Sequence, residues 1–65
     1  MSTKLTVTGM ACEACEETVV GALEDVAGVE HATADRTSDV AIVEGTADPA
    51  VLAEAVEDEG YTASP

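Results

Sequence analysis

The two cysteines of the chain, Cys12 and Cys15, stand three residues apart in the stretch Gly9-Met10-Ala11-Cys12-Glu13-Ala14-Cys15. On a helix or its first turn, side chains at i and i+3 share a face with Cβ atoms about 5–6 Å apart. Two thiolates so placed can hold one soft cation between them, and the same spacing admits a disulfide. Soft sulfur ligands select Cu(I), which needs few of them, whereas Zn(II) asks for four donors. His31 is the one other strong nitrogen donor. It has no partner at ligand spacing and reads as a solvent-exposed imidazole. Glu13 or Glu16 could complete a divalent site, although acids are so frequent here that their nearness carries little weight. Met10 could offer an axial thioether but reads better as core packing. The ligands are thiolates rather than thiols. A helix N-terminus favours their ionisation, while Glu13, Glu16 and Glu17 oppose it, so the sequence leaves the sign of the shift open. Cys12, in the loop, is the sulfur expected to be attacked or released first, with Cys15 as the anchor.

The elements around this stretch follow from periodicity. Residues 4–8 alternate with period two, Leu5 and Val7 facing one way, which predicts a half-buried strand. Gly9 breaks it. From residue 13 to 26, Cys15, Val19, Ala22, Leu23 and Val26 form the stripe of an amphipathic helix, with Gly28 as its stop. Residues 29–35 alternate again, although Ala32 and Ala34 are weak strand formers. The polar run 36–39 predicts a hairpin loop before a β-branched strand at 40–43. Asp48-Pro49 is a side-chain cap followed by proline at the first helical position. Leu52, Ala55 and Val56 supply that helix's buried stripe, Gly60 ends it, and residues 61–63 form a short last strand. The order βαββαβ predicts an α+β split-βαβ sandwich, with two helices on one face of a four-stranded antiparallel sheet.

Sixty-five residues make one small domain, 1–65, with no Phe or Trp. Only about a dozen large aliphatics are available, each contributing roughly 1.5–3 kcal/mol when buried, so stability is marginal and a ligand selective for the folded form would help. Fourteen acids against Lys4 and Arg36 give a net charge of −12. That self-repulsion argues against nucleic acid and anionic membrane as partners, and the two cations are too few for a basic patch. Acid excess, scarce Lys and a core shrunk to Ala and Val resemble the proteins of salt-accumulating halophiles, where salt shortens the Debye length to about 3 Å at 1 M. Acids also crowd the expected helix C-termini, against the macrodipole. No apolar stretch approaches the ~18–20 residues of a membrane span, and residues 1–4 do not lead into a signal-peptide core. The expectation is a soluble cytoplasmic protein, where a C-x-x-C pair indicates metal or redox chemistry rather than a structural staple.

Gly9-Met10-x-Cys12-x-x-Cys15 after the first strand, Gly28-Val29 after the first helix and Gly60-Tyr61 after the second together resemble the heavy-metal-associated domain. That family comprises copper chaperones and the amino-terminal metal-binding modules of P-type metal ATPases. The resemblance covers essentially the whole chain. It implies a ferredoxin-like fold, Cu(I) held by Cys12 and Cys15, and transfer by ligand exchange to the metal-binding domain of a P-type copper ATPase. It also implies that Met10 is the core Met under the metal loop and Tyr61 the aromatic beside the site. Position 11 is Ala where the family often has Thr; family members favouring divalent ions often carry Asp there, so Ala11 leans toward Cu(I). Glu13-Ala14 sets an anion between the ligands. A chain of this length with its own initiator Met favours a chaperone over a pump fragment, a monomer that a shared copper ion could bridge into a dimer. With an acidic surface, docking falls to small apolar groups around Met10, Ala11 and Ala14. No bond of a substrate is made or broken, so no enzymatic activity is expected. The competing readings are a divalent Zn(II) or Cd(II) carrier and a dithiol oxidoreductase; against the latter, the element order is not thioredoxin-like and no Pro or Trp lies near the motif.

Overall fold

The computed structural model describes residues 2–65. The elements run β1 (Ser2–Thr8), α1 (Glu13–Glu24), β2 (Val29–Asp35), β3 (Val40–Gly45), α2 (Pro49–Glu57) and β4 (Thr62–Ser64). The strands form one antiparallel sheet in the order β2-β3-β1-β4. This is the expected ferredoxin-like βαββαβ arrangement. The alternation that predicted β1 decides which way the sheet faces: Leu5 and Val7 point inward beside Ala41 and Val43, and Ala32 and Ala63 join them from the flanking strands. Both helices close over that face, α1 against β2 and α2 against β4, bringing Val19, Leu23, Leu52, Ala53 and Val56 into a single apolar core with Met10. Among the described residues no polar or charged side chain is buried, so the interior is apolar throughout.

Ala32, a weak strand former, is nevertheless in β2 and 2% exposed. Pairing with Val43 supplies the order that propensity does not, and the small side chain leaves room for α1. Two expectations about the helices change. The apolar stripe carries on to Val26, yet α1 stops at Glu24 with Asp25 as its cap. Val26 donates its N–H to the Leu23 carbonyl in a tighter turn and still packs against the core. Side-chain periodicity records which residues face inward, and a turn can satisfy that as well as a helix. In α2 the buried stripe is Leu52, Ala53 and Val56, with Ala55 only half-buried. The Asp48 carboxylate caps this helix by accepting from Ala50 N at 2.8 Å, and Pro49 at its start sets the phase. β3 extends to Gly45, opposite the irregularity between Val29 and His31 in β2. A Cβ at position 45 would collide with the Gly28 carbonyl oxygen, and its φ of +141° is one that L side chains avoid. Among the described residues no helix is long and apolar enough to cross a membrane.

Candidate metal centre

β1 delivers the chain to one end of the sheet, where Gly9 turns it with φ +98°. Met10 then drops back into the core at 7% exposure, beneath the loop, so it serves packing rather than the surface. Ala11 and Cys12 are exposed above it. Cys12 is the N-cap of α1, with extended backbone and no capping bond from its side chain. Its carbonyl accepts from the N–H groups of Cys15 at 3.0 Å and Glu16 at 3.3 Å. The sulfur of Cys12 is thereby left free above the first turn, and Cys15 rises from that turn to meet it. The two Sγ atoms lie 3.4 Å apart, both cysteines free, Cys12 exposed and Cys15 half-buried.

The electrostatic question left open by the sequence is answered for Cys15. Its pKa falls from the ordinary 9.0 to about 7, chiefly through hydrogen bonding with the Tyr61 hydroxyl. The Ala11 backbone and the Cys12 side chain lower it further, and burial opposes them. The reciprocal effect falls on Tyr61, whose phenol is raised above its ordinary value of 10.0, first by its hydrogen bond with Cys15. Tyr61 reaches the loop from the segment after α2; its ring packs against the core, and the Cδ1 atom lies within 3.6 Å of where a Cβ on Gly9 would sit. A larger residue at position 9 would therefore meet the tyrosine as well as a strained φ.

His31 lies at the opposite end of α1. Its side chain is 62% exposed, and Nδ1 stands 3.9 Å from Glu24 Oε2, so it is a surface imidazole remote from the cysteines. Glu16, one of the carboxylates that could have completed a divalent site, is engaged elsewhere. Its Oε2 accepts from the Arg36 backbone N–H at 2.7 Å and its Oε1 from the Arg36 guanidinium at 3.1 Å. Among the described residues no three His, Cys, Asp or Glu side chains are grouped to hold a metal ion. The sequence reading passed over Arg36 as one of too few cations to form a patch. The signal for it lay in the topology: an antiparallel β1–β3 pairing brings the β2–β3 turn to the end of the sheet where β1 hands over to the cysteine loop. Val7 N donating to Asp39 O at 2.9 Å records that proximity.

Comparison with known proteins places these features in company. The model of the heavy-metal-associated domain matches residues 4–62. Among solved structures, the chain is similar to the CopZ metallochaperone, with 27% identity, 98% of this chain and 100% of that one covered, and a TM-score of 0.93. It is similar to a copper binding domain from HMA7, a P-type ATPase, with 32% identity, 97% and 89% coverage and a TM-score of 0.93. It is also similar to the N-terminal domain of PacS from Synechocystis PCC6803, with 31% identity, 98% and 94% coverage and a TM-score of 0.91.

Proposed function

The chain belongs to the heavy-metal-associated domain family, and from that premise we propose that it is a cytoplasmic carrier holding one Cu(I) ion on Cys12 and Cys15. It hands the ion by ligand exchange to the metal-binding domain of a P-type copper ATPase. The observation that carries this reading is the pair of free sulfurs 3.4 Å apart at an exposed helix start, with no third donor grouped beside them among the described residues. Two soft ligands suit Cu(I), whereas a divalent ion would be left short of donors.

The asymmetry of the pair gives the ligand exchange an order. Cys12 is exposed and its backbone lies outside the helix, so an incoming thiolate from the partner reaches its side of the ion first. Cys15 is held by Tyr61 and the loop backbone and keeps the ion while a shared three-sulfur arrangement forms. The Cu–Sγ bond of Cys12 then breaks, a second thiolate of the partner binds in its place, and the bond to Cys15 breaks last. The ion stays Cu(I) throughout and the departing thiolates recover protons from solvent, so no electron donor or acceptor is needed. Docking surface is supplied by Ala11 and Ala14, both exposed; Met10 lies beneath them and does not contribute. The carrier is monomeric in this reading, and a copper ion shared between two copies would use the same contact.

Anaerobic titration with Cu(I) against a competing chelator tests the site. Wild-type protein takes up one equivalent, and Cys12→Ser and Cys15→Ser each lose tight binding. Near-normal affinity in either variant would sink the two-thiolate reading. Transfer is read by mixing the loaded protein with an apo metal-binding domain of a copper ATPase and following which chain holds the ion.

A further inference from the structure

The contact between the β2–β3 turn and α1 bears on which ion the site accepts. Glu16 follows Cys15 directly and sits one helical turn beyond Cys12, to whose carbonyl its N–H bonds at 3.3 Å. Helical side chains lean toward the helix N-terminus, and that end of α1 is where Cys12, its N-cap, and Cys15, in its first turn, hold the two sulfurs. A free Glu16 carboxylate would therefore lean toward the sulfur pair, where its oxygens could join a cation. In the structure it does not, because both oxygens are occupied by Arg36. The pair is partly enclosed, with side-chain exposures of 37% for Arg36 and 21% for Glu16.

The grip is built into the turn. Asp35 accepts from Thr37 N at 2.9 Å and from the hydroxyls of Thr37 and Ser38, which sets the path of the backbone through Arg36. Asp39, at φ +56°, directs its carbonyl to Val7 N at 2.9 Å. The Arg36 N–H is thus presented to Glu16 by a turn anchored on β1, and the guanidinium adds a charge-assisted bond to the other oxygen.

We infer that Arg36 determines the metal preference of the Cys12–Cys15 site by withholding the Glu16 carboxylate, which would otherwise act as a third, hard donor to a divalent ion such as Zn(II). The inference rests on the two-thiolate reading of the site. Cu(I) loses nothing by it, since two sulfurs suffice. Zn(II) loses an oxygen ligand that, with two thiolates and a water, would complete a tetrahedral set. Removing the guanidinium leaves Glu16 a single bond from a neutral donor, which a nearby dication outcompetes.

The test measures Zn(II) and Cu(I) affinities by chelator competition for wild type, R36A, R36K, E16Q and R36A/E16Q, under reducing anaerobic conditions. R36A should bind Zn(II) about tenfold or more tightly than wild type, the scale of outer-shell effects on metal affinity, with Cu(I) affinity unchanged. R36K, which keeps a cation on the carboxylate, should stay near wild type. R36A/E16Q should lose the gain, since the freed donor is gone, and E16Q alone should bind Zn(II) as wild type does. No gain in R36A, a gain that survives in R36A/E16Q, or weakened Zn(II) binding in E16Q would each overturn the inference. A purely structural role for Arg36 would move both metals together and would not be reversed by E16Q. Failure of wild type to bind Cu(I) at the cysteines would instead refute the underlying reading of the site, so the two failures are distinct.

Discussion

Tyr61→Phe removes one hydroxyl and leaves the ring that packs against the core. In the wild type that hydroxyl is the first of the causes that bring Cys15 from 9.0 down to about 7. The Ala11 backbone and Cys12 remain in the variant, so part of the depression persists; losing the largest contribution should raise the midpoint by roughly one pH unit. At pH 7 the thiolate share of Cys15 then drops from about a half to about a tenth. The rate of alkylation of apo protein, mapped to Cys15 and followed against pH, reads that share directly, because the thiolate is the nucleophile. Linkage gives a second readout. Since the folded pKa of Cys15 lies below the unfolded one, the unfolded chain holds more protons between pH about 7 and 9. Apo stability should therefore rise with pH across that window, be lost as pH falls through about 7, and rise less in the variant. The tyrosine itself reports the same bond: its titration lies above 10.0 in wild type and should move back toward it in Cys15→Ser. An unchanged or lower Cys15 midpoint in Tyr61→Phe would refute the assignment of the tyrosine as the group that ionises this sulfur.

Two further expectations concern stability. Leu23 is fully buried between α1 and the sheet; Leu23→Ala should cost about 3 kcal/mol, a large part of the total for a domain of this size. Urea denaturation with and without Cu(I) should show the loss and its partial recovery by the bound ion. Glu24 and Asp25 close α1, Glu57 and Asp58 close α2, and no basic residue stands in either last turn. These charges oppose the helix dipoles by about 1–2 kcal/mol in sum at low salt, so the melting temperature should climb by roughly 5–10 °C between dilute buffer and molar KCl. A flat or falling melting temperature would contradict that reading.

Much of this was legible in the amino-acid order alone. Period-two alternation in β1 and β2, the apolar stripe of α1 and the Asp48-Pro49 start of α2 specify element types through local geometry that each segment carries within itself. The order of those elements, with right-handed crossovers, leaves few sheets to choose from. The cysteine spacing brought the two sulfurs to one face for the same reason, and by itself left metal and redox chemistry both open. Helix ends were less legible, because a tight turn at Asp25 and Val26 buries the same face as another helical turn would.

The family resemblance already set Tyr61 beside the cysteine pair; what the tertiary structure alone decided is that its hydroxyl bonds Cys15 and that Arg36 holds Glu16. Tyr61 comes from the far end of the chain and Arg36 from a hairpin turn between strands. Neither has a sequence relation to Cys12 or Cys15; both arrive because antiparallel pairing of β1 with β3 and β4 gathers three segments at one end of the sheet. The ionisation of Cys15 and the engagement of Glu16 depend on contacts over a few ångströms between residues distant in sequence. Local pattern places two thiols together, and the sheet determines which hydroxyl and which guanidinium stand beside them.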